Sequence, residues 1–150
     1  MTGGNSSNRP YEVVVVDDSN DDGQLLLRAL QKVQLDIDME IDAHPFSSSA
    51  DASARLKERK CDAIFPDINM PPPDGMELSK QIYSLEINRD TPIVILAGAD
   101  DRGLMSWAFQ AGANLFLFKP IDRVRLLRLV QVLSVPIDRE RRRLQRVKAK

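Results

Sequence analysis

Charged side chains follow apolar runs at three separate places in this chain. Asp17 and Asp18 close "VVVVDDS", Asp67 closes "DAIFPD", and Lys119 closes "FLFK". If those runs lie side by side as strands, three carboxylates and one ammonium gather at one edge. Carboxylates held together repel, and their burial is costly unless a cation offsets them. A hard divalent ion with oxygen ligands answers that need, and Mg²⁺ suits a shallow site in which it keeps several waters. Such an ion neutralises phosphoryl oxygens, and a neighbouring carboxylate can serve as the nucleophile that takes the phosphoryl group. Lys119 adds a point positive charge for the same oxygens. A strand-end acid that merely caps a helix or faces solvent is the plainer reading of any one of these residues. It accounts poorly for all four.

The elements that must position them are legible as apolar runs. "EVVVV" (12–16), "DAIFP" (62–66), "PIVILA" (92–97) and "LFLF" (115–118) are short, unalternated and bounded by turn or charged residues. Runs of this kind suit strands covered on both faces, as in a parallel sheet. The weaker "DMEIDAH" (38–44) alternates and fits an edge. Between the runs lie helical patterns at 21–33, 50–59, 75–85, 101–112 and 122–133. Asn20, the serines before 50, Asp74, Asp100 and Asp122 stand where caps belong. The β-α alternation predicts an α/β fold, a doubly wound parallel sheet with right-handed crossovers. Ligands of such sheets sit beyond the carboxyl ends of the strands, which is where the acids and Lys119 fall.

Composition narrows the function classes. The net charge of −1 divides into +5 over Pro136–Lys150 and −6 over the rest, an acidic globule with a basic tail. One cysteine, Cys61, excludes an internal disulfide, fits a reducing compartment, and reads as a buried bystander. His44 is the only histidine, which leaves histidine-based metal sites and Ser-His-Asp triads poorly supported. No apolar run reaches the roughly 18 residues of a membrane span. "MTGGNSSNRP" (1–10) reads as a flexible leader without the apolar stretch of a signal peptide, so a cytoplasmic protein is expected.

Taken together, "VVVVDDS", "PDINMPPPDG" and "FLFKP" at these separations resemble the CheY-like receiver domain of bacterial two-component response regulators. The resemblance covers roughly residues 11–135. It implies five strands in the order 2-1-3-4-5 with five helices. It also implies that Asp67 accepts a phosphoryl group from the phosphohistidine of a histidine kinase or a phosphotransfer protein. Such a domain is a signalling switch, whose only chemistry is its own phosphotransfer and dephosphorylation. By the same resemblance Asp18 ligates Mg²⁺ directly, Asp17 acts mainly through water, and Asn69 lends its backbone carbonyl. Lys119 contacts the phosphoryl group, and its bond to Pro120 is cis, a form that only X–Pro bonds adopt cheaply. Phe116 stands where the family keeps a switching aromatic, or is a plain core residue.

Two departures from the family pattern stand out. Ala97 occupies the position where a Thr or Ser normally closes the fourth strand, and alanine offers no side-chain hydrogen bond. Pro66 removes a ladder donor directly before Asp67, a loss best tolerated at a strand's last pairing position. Of Pro71–Pro72–Pro73, which stiffen the loop after the acceptor, only the first is expected. Ala97 and Pro66 motivate a rival reading, a phosphorylation-independent pseudo-receiver that serves as an interaction module. A phosphohydrolase of the haloacid-dehalogenase type needs a second acid two residues after the nucleophile, where this chain has Asn69.

On the helix at 101–112, Met105, Ala108, Phe109 and Gly112 form the expected core stripe, leaving Leu104 and Trp107 on another face. The last helix has Leu126, Val130 and Leu133 on one side and Leu129 and Val132 off it. Receivers commonly dimerise or bind partners through the fourth helix, fifth strand and fifth helix. There Leu104, Trp107, Arg123, Arg125 and Arg128 are interface candidates, a solvated basic face being the other reading. For 136–150 three readings stay open: a nonspecific basic arm, a helical extension interrupted at Pro136, or the start of a following output domain. Arg142-x-x-x-Arg146 resembles the opening of PilZ domains. Without interleaved aromatics, nucleic-acid recognition through this part is unsupported.

Overall fold

The computed structural model describes residues 9–149. Strands and helices alternate along the chain: β1 (Tyr11–Val16), α1 (Asn20–Ile37), β2 (Ile41–Phe46), α2 (Ser49–Glu58), β3 (Ala63–Pro66), α3 (Gly75–Tyr83), β4 (Val94–Ala97), α4 (Met105–Gln110), β5 (Leu115–Phe118) and α5 (Arg123–Ala149). Every strand pair is parallel, with β1 between β2 and β3, and β4 beside β5. Successive residues of β1 serve opposite cores. Val13 and Val15 pack with Leu26, Leu30 and Leu126 from α1 and α5. Val14 and Val16 pack with Leu56, Leu78 and Ile82 from α2 and α3. Burial on both faces is why these runs lack alternation.

The two sheets abut rather than merge. β3 meets β4 in two isolated bridges, Ile64 with Ile93 and Asp67 with Leu96. Ile64 donates its N–H to Pro92 O at 3.0 Å, and Ile68 donates to Leu96 O at 2.9 Å. The amide of residue 66 belongs to the same side, midway between them, and Pro66 has none. Pro66 is indeed the last residue of β3, and the missing donor falls toward β4. The order 2-1-3-4-5 is therefore present as β2-β1-β3 and β4-β5, joined along the backbone through these bridges and by the cores on either face.

Several local expectations are corrected. Ser19, not Asn20, caps α1, its hydroxyl accepting from Asp22 N–H. The alternating strand begins at Ile41 rather than Asp38 and lies at the edge beside β1. The helix expected at 101–112 opens as a 3-10 helix, Ala99–Leu104, and only Met105–Gln110 is α-helical. The carboxylate of Asp101 accepts the N–H of Gly98 and so shapes that tight first turn. At the far end, α5 runs through Pro136 to Ala149 without interruption. A proline there forgoes one bond, to the carbonyl four residues back. The leader expected at 1–10 lies, apart from Arg9 and Pro10, outside the described residues.

Candidate functional site

The last ladder bonds of three strands place the charged residues. Asp17 donates its N–H to Phe46 O at 3.0 Å, Asp67 to Val16 O at 2.8 Å, and Lys119 to Ala97 O at 2.7 Å. Each backbone is thus fixed by the sheet at the point where its side chain leaves it. The carboxylates are further aimed by local turns. Asp17 Oδ1 accepts the N–H of Ser19 at 2.9 Å, and Asp67 Oδ1 accepts that of Asn69 at 2.8 Å. Asp74 and Glu77 form a capping box at the start of α3. The next residue, Gly75, brings that helix close against the acceptor turn: a β-carbon there would stand 2.5 Å from the Asp67 carbonyl oxygen. The Lys119–Pro120 bond is cis, as is Pro72–Pro73.

Lys119 is the hub. Its Nζ donates to Asp67 Oδ2 at 2.6 Å, Asp22 Oδ2 at 3.1 Å and Asp17 Oδ2 at 3.2 Å. Asp17, Asp18 and Asp67 each offer an oxygen, all within 4.8 Å of one another. Asp17 and Asp67 are 6% and 4% exposed, whereas Asp18 opens to solvent. Burial pushes the Asp17 carboxyl above its ordinary range; the Ser19 N–H works against this, the Asp67 charge adds to it, and Lys119 opposes it. For Lys119, burial alone would lower the pKa, but hydrogen bonds to Asp67 and Asp22 and the charges of Asp67 and Asp17 outweigh it and raise the value. One ammonium faces four carboxylates, so negative charge is left over. Closely set, hard oxygen donors with uncompensated charge are what Mg²⁺ takes.

Sequence reasoning missed two acids here. Asp22 sits in the first turn of α1, and only folding reveals that it reaches Lys119 from there. Asp101, 8% exposed, accepts hydrogen bonds from Asn69 Nδ2 and Gly98 N–H, both at 2.7 Å. The one signal for it was "GADD" directly after β4.

The remaining candidates are dispersed. Ala97 ends β4 fully buried, presenting only a methyl group. Phe116 is partly buried, edge-on to Phe109 at 5.1 Å and stacked on Phe118 at 5.9 Å. Trp107 is 65% exposed. Leu104 instead packs partly buried against the α2–α3 side core, while Phe109, expected in the core, is 47% exposed. The 3-10 start rotates the face, which is why the two trade places. Arg123 pairs with Asp36 of α1 at 3.2 Å, and Arg125 and Arg128 are exposed. The Cys61 thiol is buried, which pushes its pKa up to about 12 and leaves it unreactive.

Known proteins carry the same arrangement of fold. Residues 13–131 match the family described as response regulator receiver domain. The cyclic di-GMP phosphodiesterase response regulator RpfG of Xanthomonas campestris pv. campestris is 31% identical over 116 residues, which are 77% of this chain but 29% of that protein. The chain thus spans under a third of that relative's length. The chemotaxis protein CheY4 of Vibrio cholerae superposes with a TM-score of 0.70 at 26% identity, covering 83% of this chain and 99% of that one. The receiver domain of the sensor histidine kinase PA1611 from Pseudomonas aeruginosa PAO1, whose structure has a magnesium ion coordinated in the active-site cleft, superposes with a TM-score of 0.72. It is 24% identical and covers 86% of this chain and 98% of that one. With residues 13–131 matched to that family, the chain belongs to the response regulator receiver family.

Proposed function

We propose that Asp67 is the phosphoryl acceptor of this receiver and that Asp17, Asp18, Asp67 and the backbone carbonyl of Asn69 hold Mg²⁺. The observation that carries this is the convergence of Lys119 with Asp67 and Asp17 at the carboxyl ends of β5, β3 and β1. Bound there, Mg²⁺ supplies positive charge to phosphoryl oxygens. An oxygen of the Asp67 carboxylate attacks phosphorus, the P–N bond to a partner's imidazole breaks with its electron pair going to nitrogen, and an acyl phosphate remains. Lys119, freed from part of its bond to Asp67, turns its ammonium to the phosphoryl oxygens. Asn69 N–H and Ser19 N–H keep the two buried carboxylates aimed.

The phosphodonor is a histidine kinase or phosphotransfer protein, which must cover the surface beside Asp67. A cleft of about 360 Å³ opens there, lined by the apolar Leu25, Pro120 and Ile121 and by Asp17, Asp22 and Lys119. The chain acts as a switch rather than a turnover enzyme, with any output lying in a following domain or partner, and homodimerisation through α4, β5 and α5 is the form that output takes if Trp107, Arg125 and Arg128 are its contacts. None of the described helices is long and apolar enough to cross a membrane, in keeping with a cytoplasmic setting. A phosphorylation-independent module is less well supported, because the acids and Lys119 are all in place despite Ala97.

Beryllofluoride with Mg²⁺ tests the reading. A bound fluorine signal is expected in ¹⁹F NMR for the wild type and none for Asp67→Asn. Absence of a Mg²⁺-dependent signal in the wild type would sink it.

A further inference from the structure

We propose that Asp101 is a positioning residue of the acceptor site, tying the turn after Asp67 to the segment after β4. It rests on the acceptor reading above. Its Oδ2 accepts from Asn69 Nδ2 at 2.7 Å and from Gly98 N–H at 2.7 Å, while Asn69 donates its own backbone N–H to Asp67 Oδ1 at 2.8 Å. Three successive hydrogen bonds therefore run from the acceptor carboxylate to the first turn of the 3-10 helix.

The site needs such a tie. Ala97, the last residue of β4, has only a methyl group, so β4 itself offers no side-chain hydrogen bond to a group on Asp67. Among the described residues, Asn69 to Asp101 is the side-chain hydrogen bond joining these two loops. Asp101 is 8% exposed and takes part in no ion pair among the described residues, so neutral donors hold its charge. Withdrawing either donor from a buried carboxylate is costly, which obliges Asn69 and Gly98 to move together.

The residues beyond the tie are placed to respond. Arg102, next to Asp101, lies over the ring of Phe118 at 4.7 Å, joining the 3-10 helix to β5. The same helix leads directly into α4, where Trp107 stands 65% exposed. Asp67, Asn69, Asp101 and Trp107 thus form one line of contacts and continuous chain. Substitutions along this line test the coupling directly.

Trp107 is the only tryptophan, so its fluorescence reports on this segment directly. In the full chain at saturating Mg²⁺ and beryllofluoride, with occupancy read separately by ¹⁹F NMR, wild-type emission should shift. In Asp101→Ala at equal occupancy the shift should shrink by about fivefold or more. Asp101→Asn, which keeps one carbonyl oxygen, should recover part of it. Asn69→Ala removes the other partner of this bond while leaving the Asp101 carboxylate in place, and should lose the response to the same extent. The double variant should lose no more than either single one, as expected of residues acting as one unit. A wild-type-sized shift in Asp101→Ala or Asn69→Ala, additive losses in the double variant, or an occupied wild type whose Trp107 emission does not change overturns the proposal. An unoccupied wild type instead condemns the acceptor reading, and this inference with it.

Discussion

Acidic side chains cluster at both ends of β1, and the two clusters are built on opposite principles. At the amino end, Glu12 meets Arg59 at 3.4 Å and Arg55 at 3.6 Å, with His44 nearby between Glu12 and Asp42. Asp62 beside them takes a two-pronged bond from Arg9. Cations of the chain itself offset these acids, and solvent screens what is left. At the carboxyl end, Asp17, Asp22 and Asp67 share one ammonium, Asp18 has no ion pair among the described residues, and two of the four are nearly buried. Geometric grouping alone, which would nominate Glu12, Asp42 and His44 as a metal site equally, does not separate the two. Charge balance does. Only the second cluster has a standing need for a cation from outside.

Substitutions can sharpen that contrast. The largest effect is expected from Asp17→Ala combined with Asp18→Ala, which should weaken Mg²⁺ binding on the order of 100-fold, or about 2.8 kcal/mol. Titration calorimetry with Mg²⁺ reads this directly, and a comparable loss on replacing Glu12 and Asp42 would erase the distinction. Next in size is Gly75→Ala. A β-carbon 2.5 Å from the Asp67 carbonyl oxygen forces the α3 start away from the acceptor turn. A loss of about 2 kcal/mol in chemical denaturation is expected, with weaker Mg²⁺ binding alongside; an unchanged midpoint would mean the turn yields freely.

A smaller effect concerns pH. Asp17 is an acid whose folded pKa is raised, so the folded chain holds that proton longer than the unfolded one. Its contribution is most favourable at low pH and declines as pH climbs from 3.8, the ordinary value, through the raised one. Without Mg²⁺, the stability of the wild type relative to Asp17→Asn should therefore fall across that window and then level. A relative stability that rises with pH across that window refutes the assignment. Lys119 works at the other end of the scale: its contribution is complete below 10.5 and is lost as pH rises through its raised folded value. The smallest effect is Glu12→Gln, expected to change stability by no more than about 0.5 kcal/mol and Mg²⁺ affinity not at all.

Much of this was legible in the sequence because it depended on neighbours along the chain. Val13 to Val16 read as a strand covered on both faces, and Asp17, Asp67 and Lys119 followed from where such strands end. Asp74 announced the start of α3 by standing where a cap belongs, as the structure has it. What escaped depended on through-space meetings. Asp22 lies 97 residues from Lys119 and Asp101 lies 32 from Asn69, separations that no periodicity encodes. The 3-10 turn at Ala99–Leu104 escaped for a related reason. Its cause is a side chain folding back on Gly98, while "DRGLMSWAFQ" shows an ordinary helical stripe. That stripe misassigned Leu104 and Phe109, since a few residues of tighter winding rotate everything after them.

Pro66 has a mechanical consequence. Its absent N–H leaves a seam between β3 and β4, and the charges are distributed across it. Asp17, Asp18, Asp22 and Asp67 all belong to the β2-β1-β3 block or its helix α1, whereas Lys119 hangs from β5 in the other block. The bonds from Lys119 to Asp17 and Asp67 are therefore clasps across a weakened join. Lys119 thus reaches the strand-end acids from the opposite block. On the acceptor reading proposed above, a phosphoryl group would arrive on one side of this seam and be met by an ammonium carried from the other.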